Sequence, residues 1–498
     1  MLVTPDQFGL VALLGSAVLI VAVTGVRLTG RLGVPGLLLY LGIGLLLGAV
    51  LPGDVMVEPN IAIVVGFGAL VLILAHGGLT TSLDDFRPVI MPSLVLATVG
   101  VAVSLAIVAL PLILLLDVDP QVAILLAAAL SATDAAAVFA VLRHINVSTR
   151  LRTLLEGESG LNDAPVVVLV TVVASGSLQG APWLVPIVVV VQLLIGGVVG
   201  VGVGFATRWT LQRLALPAIG LYPIAAIAML VLAFGLADFA QSSGFMAVYV
   251  AAVILGSAQD LPHRRAVIGF SDGLSWLAEI GLFVMLGLLA QPERLPASIG
   301  IALVATVVLV AVARPVSALI SLAPFRWPIR EVGFVSLAGL RGAVPIIFAA
   351  IPLGLGMPGA EVIFDVTLIV VLILTMLQSP ALPWIARILR ITVPAEPAAL
   401  SVDVAPLDDL DAAVLGIDID AECRLIGVYV GELPLPEGAV ASLLIRGDRA
   451  LPVDSETRLR SGDRLIVVAS AQVRSVTERR LRELSRGGRL GGWKQASE

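Results

Sequence analysis

The chain has 498 residues, of which 58% are hydrophobic and only 13% charged, with a mean hydropathy of +1.06. Soluble domains average about 45–50% apolar and about 25% charged residues, so this composition excludes a purely water-soluble protein and points to a polytopic membrane protein. The net charge of −6 sums a membrane part and a soluble tail and constrains little, while a single cysteine, Cys423, excludes an internal disulfide or a thiolate metal cluster.

The first residues, "MLVTPDQFGL", carry no basic n-region and no cleavage pattern comes after them, so Phe8–Val26 reads as a first spanning helix and not as a signal peptide. Breakers and charges mark off further apolar segments, each near the ~20 residues a helix needs to cross a bilayer. They lie at 34–51, 60–80, 89–116, 121–142, 158–178, 183–207, 217–237, 244–258, 273–290, 296–323, 332–352 and 362–386, which makes thirteen in all. Alternate loops hold Arg27 and Arg31, Arg87, Arg143 with Arg150 and Arg152, Arg208 and Arg213, Arg264 and Arg265, Arg326 and Arg330, then Arg387 and Arg390. The intervening loops hold only Arg294. By the positive-inside rule the first set is cytoplasmic, with the N-terminus outside and the C-terminal tail inside the cell membrane.

The membrane part ends near residue 392. Residues 393–412, rich in Pro, Ala and Asp, read as a linker. Residues 413–486 carry short β-type runs ("RLIGVYV", "AVASLLIR", "DRLIVVAS"), turn-rich pieces and a helix with "VRSVTERRLREL", and so read as a small cytoplasmic α/β domain. Residues 487–498 read as a disordered tail.

Ionisable residues inside spanning helices are rare and mark function by default. Thr133 and Asp134 fall in the middle of the fifth span, and Glu158, Ser159, Asn162 and Asp163 in the inner part of the sixth. Arg341 sits mid-span in "LAGLRGAVPIIF", and His76 lies near the inner end of the third span. Ser159 and Asp163 are four residues apart and share a stripe, as do Glu158 and Asn162 on the adjacent one. Four oxygen-bearing side chains on one helix face suit a hard monovalent cation, which takes carboxylate, hydroxyl, amide and carbonyl ligands. Pro165 and Pro345 free the carbonyls of Leu161 and Arg341, and Leu161 is expected near the cation. Glu158 reads as the partner of Arg341. Asp163 then keeps a charge that a dry interior tolerates only when a proton or a cation neutralises it. His76 and Glu156 read as vestibule residues, His76 with the capacity to titrate near neutral pH.

"SATDAAAVFAVL" together with "LEGESGLNDAPVVVL" resembles the paired signature of the monovalent cation:proton antiporters, in the exchanger branch with an Asn-Asp pair. "GLRGAVP" resembles that branch's intramembrane arginine motif. The resemblance implies an all-α membrane domain of thirteen helices built from two inverted six-helix repeats, and a homodimer. It implies that Asp163 binds cation and proton, with Thr133, Asp134 and Ser159 at the site. It also implies a buried Glu158–Arg341 pair held by Asn162. Where many relatives carry an acidic residue before the Gly-Gly of the third helix, this chain has His76. The tail, from "CRLIGVYVGELPLPEG" to "LRSGDRLIVVAS", resembles the C-terminal subdomain of regulators of potassium conductance. That implies a domain sensing a small-molecule effector, in some members a nucleotide.

The expected function is therefore secondary antiport. A monovalent cation, potassium favoured and sodium the alternative, exchanges for protons at Asp163 without ATP, without cofactor and without a nucleic-acid partner. One exchanging carboxylate implies electroneutral exchange. Two other classes compete: a gated potassium channel, which would need a filter such as Thr-Val-Gly-Tyr-Gly, and an intramembrane protease, which would need Gly-x-Gly-Asp or His-Glu-x-x-His. None of these motifs occurs.

Overall fold

The computed structural model describes residues 5–32, 36–50, 58–142, 145–176, 181–258, 260–393, 403–407, 412–419, 423, 425–447, 449–470, 473, 476–477 and 479–481. The tail at 487–498 lies outside the described residues. The chain divides into two compact units, residues 1–392 and 393–498.

The first unit, over its described residues, forms helices and their connections, with one isolated bridge between Val147 and Thr392. Its helices are α1 (Pro5–Leu32), α2 (Gly36–Val50), α3 (Pro59–Thr80), α4 (Leu83–Leu116), α5 (Pro120–Ser131), α6 (Ala135–Leu142) and α7 (Thr149–Ala174). They continue with α8 (Val185–Arg213), α9 (Leu221–Phe239), α10 (Gly244–Gly256), α11 (Arg264–Leu289), α12 (Leu295–Phe325), α13 (Ile329–Ala338), α14 (Ala343–Gly354) and α15 (Ala360–Ile388). Among the described residues, α3, α4, α7, α8, α9, α11, α12 and α15 are the eight long and apolar enough to cross a membrane. The bent pair α13 and α14, broken by 50°, makes a ninth. Four shorter apolar helical stretches accompany them, at Ala12–Gly25, Gly36–Ala49, Pro120–Ser131 and Gly244–Gly256.

Local chemistry starts several of these helices. Asp119 caps α5, accepting from the amides of Gln121 and Val122, with Pro120 at the first position where its missing N–H costs nothing. Ser148 caps α7 and Ser243 caps α10 in the same way. Two spans contain a π-turn, Leu96–Gly100 in α4 and Leu309–Ala313 in α12. A π-turn inserts a residue and re-aims the side chains of the next turn. In α12 the next residue is Arg314.

The second unit is a five-stranded antiparallel sheet of β1 (Asp403–Leu407), β2 (Ala412–Ile419), β3 (Ala439–Arg446), β4 (Arg449–Pro452) and β5 (Asp463–Ser470). The strand order is β1-β2-β5-β3-β4. Central β5 alternates, burying Asp463, Leu465, Val467 and Ala469, as a strand with one face on a core should. The expected linker at 393–412 is corrected here, because residues 403–407 pair with β2. Proline-rich composition suggested a linker, yet Pro406 is tolerated because β1 is an edge strand that need not donate on both sides. Within the sheet, the guanidinium of Arg446 donates to both oxygens of buried Asp463, at 2.7 and 2.8 Å. This holds the Asp463 carboxyl below its ordinary range.

Candidate functional site

The site forms where two interrupted helices meet beside α7. Helix α5 stops at Ser131, residues 132–134 are non-helical, and α6 resumes at Ala135. Opposite, α13 stops at Ala338 and α14 begins at Ala343. The Asp134 amide donates to the Leu340 carbonyl at 2.9 Å, tying the two breaks together.

Each break leaves helix-end groups without intrahelical partners, with partial positive charge at N-termini and negative charge at C-termini. Two side chains of opposite sign meet these ends. The Asp134 carboxylate accepts from the Ala343 amide at 2.7 Å, at the start of α14, and from the Ala137 amide at 3.3 Å, in the first turn of α6. Arg341 donates through Nε to the Leu130 carbonyl at 3.2 Å, in the last turn of α5, and through Nη1 to the Gly339 carbonyl just past α13. The carbonyl of Arg341, which precedes the N-cap of α14, accepts from the Thr375 hydroxyl of α15 at 2.9 Å.

The glycines of "GLRG" are a consequence of this crowding. A Cβ on Gly342 would sit 2.7 Å from Asp134 Cγ, and one on Gly339 would sit 2.7 Å from Arg314 Cζ. Both distances are far inside carbon–carbon contact.

Helix α7 presents Glu158, Ser159, Asn162 and Asp163 to this crossing, all at 2% exposure or less. Thr133 Oγ1 lies 2.9 Å from Ser159 Oγ and accepts from Asn162 Nδ2 at 2.6 Å. Ser159 and Asn162 of α7 thus meet Thr133 directly, and Asp163 lies one turn on from Ser159 on the same helix. Asp134 and Asp163 are close enough to interact electrostatically. Asp163 is fully buried, and its Oδ1 has no hydrogen-bond partner among the described residues; Asn162 Oδ1 is in the same condition.

Two expected contacts differ. Glu158 pairs with Arg314, not Arg341: Nη1–Oε1 is 2.6 Å and Nη2–Oε2 is 3.4 Å, with both side chains buried. Arg314 Nη2 also donates to the Val335 carbonyl at 3.2 Å. Arg341 is taken by helix ends, whereas the π-turn of α12 delivers Arg314 to Glu158. Asn162, expected to hold Glu158, donates instead to Thr133. Arg314 escaped sequence reasoning although its signal was present, an arginine within the apolar run "LVAVARPVSALISL". Glu279, in "LSWLAEIGLFVML", escaped in the same way.

The remaining candidates lie apart from the crossing. His76 Nδ1 is 3.0 Å from Ser271 Oγ, and its Nε2 is 3.4 Å from Asp272 Oδ1, both on α11. Glu156 is half-buried on α7 within electrostatic reach of Arg152 and Tyr249. No group of three or more His, Cys, Asp or Glu arranged to hold a metal occurs among the described residues.

Comparison with known proteins adds to this geometry. Residues 17–388 match the transmembrane sodium/hydrogen exchanger family, and residues 414–482 match the TrkA-C domain. A K(+)/H(+) antiporter NhaP2 of Shewanella baltica is 34% identical over 472 residues, spanning 92% of this chain and 80% of that protein. A K(+)/H(+) antiporter NhaP of Alkalimonas amylolytica is 36% identical over 397 residues, 78% of this chain and 69% of that one. Among solved structures, the sodium proton antiporter MjNhaP1 of Methanocaldococcus jannaschii at pH 8 superposes with a TM-score of 0.66. Its identity is 22%, over 76% of this chain and 98% of that chain, so the likeness is one of fold.

Proposed function

The chain belongs to the transmembrane sodium/hydrogen exchanger family and is a cation/proton antiporter of the membrane; on that premise we propose that it exchanges potassium for protons at Asp163. The observation that carries this is a charge imbalance. Glu158 and Arg314 neutralise one another. Asp134 and Arg341 are opposite in sign and each is bonded to helix ends. Among the carboxylates at the crossing, Asp163 is the one left over, buried and with Oδ1 unbonded among the described residues.

A buried carboxylate without fixed countercharge is tolerated only when something neutralises it. A proton does so, and so does a monovalent cation, but not both together. The loaded site is neutral and crosses, and the empty site does not, so the two fluxes are coupled without ATP. Thr133 and Ser159 supply hydroxyl oxygens to the cation beside Asp163, and the free Oδ1 of Asn162 adds an amide oxygen. Asp134 acts chiefly by holding the N-termini of α6 and α14, and Glu158, Arg314 and Arg341 hold the helices in register. One exchanging carboxylate makes the exchange electroneutral.

Potassium is favoured because relatives at 32–36% identity are named K(+)/H(+) antiporters, and several align over more than 90% of this chain, tail included. Sodium is the second reading, in which the tail is structural and not sensing. Counting the eight long helices, the bent pair and the four shorter ones as spans gives thirteen, compatible with inverted repeats and with the C-terminal unit in the cytoplasm. The working assembly is a homodimer, and the TrkA-C domain takes a small-molecule effector. His76 and Glu156 line the cytoplasmic approach.

The test is cation-driven proton movement in acid-loaded proteoliposomes. Potassium added outside raises internal pH, sodium does so less, and Asp163→Asn abolishes the response. Full exchange in Asp163→Asn would reject the site, and a current reversing with membrane potential would reject electroneutrality.

A further inference from the structure

Two further carboxylates are buried in the membrane unit outside the exchange site, Asp365 of α15, which pairs with Arg294, and Glu279. Glu279 lies 15 residues into α11, roughly 22 Å along the helix axis from Arg264. It is 7% exposed, in the middle of a span otherwise apolar from Leu277 to Leu289. Ser271, Ser275 and Glu279 succeed one another at intervals of four, so they share one side of the helix. All three are buried.

This lane has one open end. Ser271 Oγ is 3.0 Å from His76 Nδ1, and His76 Nε2 is 3.4 Å from Asp272, whose side chain is 46% exposed. At the other end stands Tyr40 of α2, 1% exposed, within electrostatic reach of Glu279. The Tyr40 hydroxyl makes no hydrogen bond to any described residue. Beyond it the helices close on bare backbone: a Cβ on Gly44 of α2 would lie 2.8 Å from the Cα of Gly287, and one on Gly287 would lie 2.8 Å from the Cα of Gly44.

The helices packed against α11 are α2, α3, α9 and α14. Their titratable residues are Tyr40 on α2, His76 on α3, and Tyr222 and Asp238 on α9, with none on α14; α11 itself adds Arg264, Arg265 and Asp272. Helix α14 carries the N-terminus held by Asp134. It meets α11 and α3 at Gly66, where an added Cβ would lie 2.6 Å from Ile347 Cγ1 and 3.4 Å from Leu282 Cδ1. Packing along α11 therefore bears on a helix of the exchange site.

We propose that Glu279 is a second proton-binding site, filled from the Arg264 end of α11 through His76, Ser271 and Ser275, which adjusts exchange without carrying the transported proton. The lane is sealed at Gly44 and Gly287, so a proton arriving at Glu279 leaves by the way it came. In the orientation proposed above, the open end faces the cytoplasm, and Glu279 reports internal acidity. A charge on Glu279 in this apolar layer is costly unless α2, α3 and α11 adjust around it, and such an adjustment changes the surface on which α14 packs.

The experiment is a pH-jump infrared measurement on the full chain in lipid vesicles, run beside the exchange assay. A protonated carboxylic acid has a carbonyl stretch shared by neither a carboxylate nor an amide side chain. Among the carboxyl signals, one band that titrates in the parent chain and in Asp163→Asn is expected to vanish in Glu279→Gln. Ser275→Val should keep that band but slow its appearance after the jump. Glu279→Gln should retain potassium/proton exchange and lose one titration from its pH profile.

An unchanged set of titrating bands in Glu279→Gln would overturn the proposal, as would an unaltered pH profile. Loss of exchange in folded Glu279→Gln and Glu279→Asp alike would place Glu279 in the transport path and overturn it too. Should Glu279→Gln fail to fold, the band kinetics of Ser275→Val decide: a rate equal to the parent's rejects the lane. Exchange persisting in Asp163→Asn would instead remove the exchange-site reading and leave the Glu279 band to stand or fall alone.

Discussion

Replacing Gly342 with alanine probes the crossing with the smallest possible change. The added Cβ would lie 2.7 Å from Asp134 Cγ and 3.0 Å from Asp134 Cβ, against the ~3.5–4.0 Å of ordinary carbon contact. The carboxylate must move by about 1 Å. The 2.7 Å bond from the Ala343 amide to Asp134 does not survive that shift. A hydrogen bond to a charged group contributes about 1.5–3 kcal/mol, and crowding a packed interior costs about 1–3 kcal/mol. The lower end of their combination, about 2.5 kcal/mol, corresponds to nearly two orders of magnitude in the population of the correctly assembled crossing.

The assay is potassium-driven alkalinisation of acid-loaded proteoliposomes, with hydrogen exchange at the Ala343 amide measured on the same protein. Exchange activity should fall about a hundredfold, and the Ala343 amide should lose protection. Gly197→Ala is the control, because nothing lies within 4 Å of its added Cβ, and it should transport as the parent does. Parent-like transport in Gly342→Ala with Ala343 still protected would refute the argument that Asp134 holds the start of α14.

The same contacts set other outcomes. Removing either member of the Glu158–Arg314 pair strands a buried charge and should cost about 3–5 kcal/mol, whereas Glu158→Gln with Arg314→Gln should cost less than the two single changes added. Thermal unfolding in detergent measures this cycle, and strict additivity would mean that the two do not interact. In the C-terminal unit, Asp463 is held below its ordinary pKa chiefly by the Arg446 guanidinium. Its contribution is therefore fully present above the unfolded carboxyl value of ~3.9 and is lost as pH falls through the lower folded value. Hydrogen exchange of β3 and β5 in the full chain should accelerate over that acid window, and Asp463→Asn should remove this pH dependence.

Much of the site was legible because its signals are local. The i, i+4 spacing on α7 already gathers Ser159 with Asp163, and the "GLRGAVP" and "SATDAAAV" interruptions already announce broken helices. Arg314 and Glu279 obeyed the same rule that singled out Arg341 but sat inside long apolar runs whose hydropathy masked them. The strand at 403–407 was hidden by a proline and alanine composition that suits an edge strand as well as a linker.

Composition, span length and charge periodicity by themselves determined a polytopic membrane chain with a buried carboxylate on α7, because water, hydrocarbon and helix pitch act on neighbouring residues. Which partner each charge takes was decided only in three dimensions. Glu158 and Arg314 are 156 residues apart, and Arg341 meets Leu130 across 211. Nothing in a local stretch specifies that Arg341 goes to helix ends while a π-turn hands Glu158 a different arginine. The exposed helix-end dipoles that claim Asp134 and Arg341 exist only once α5 and α13 stop beside each other, and Asp163 is left over for the same reason.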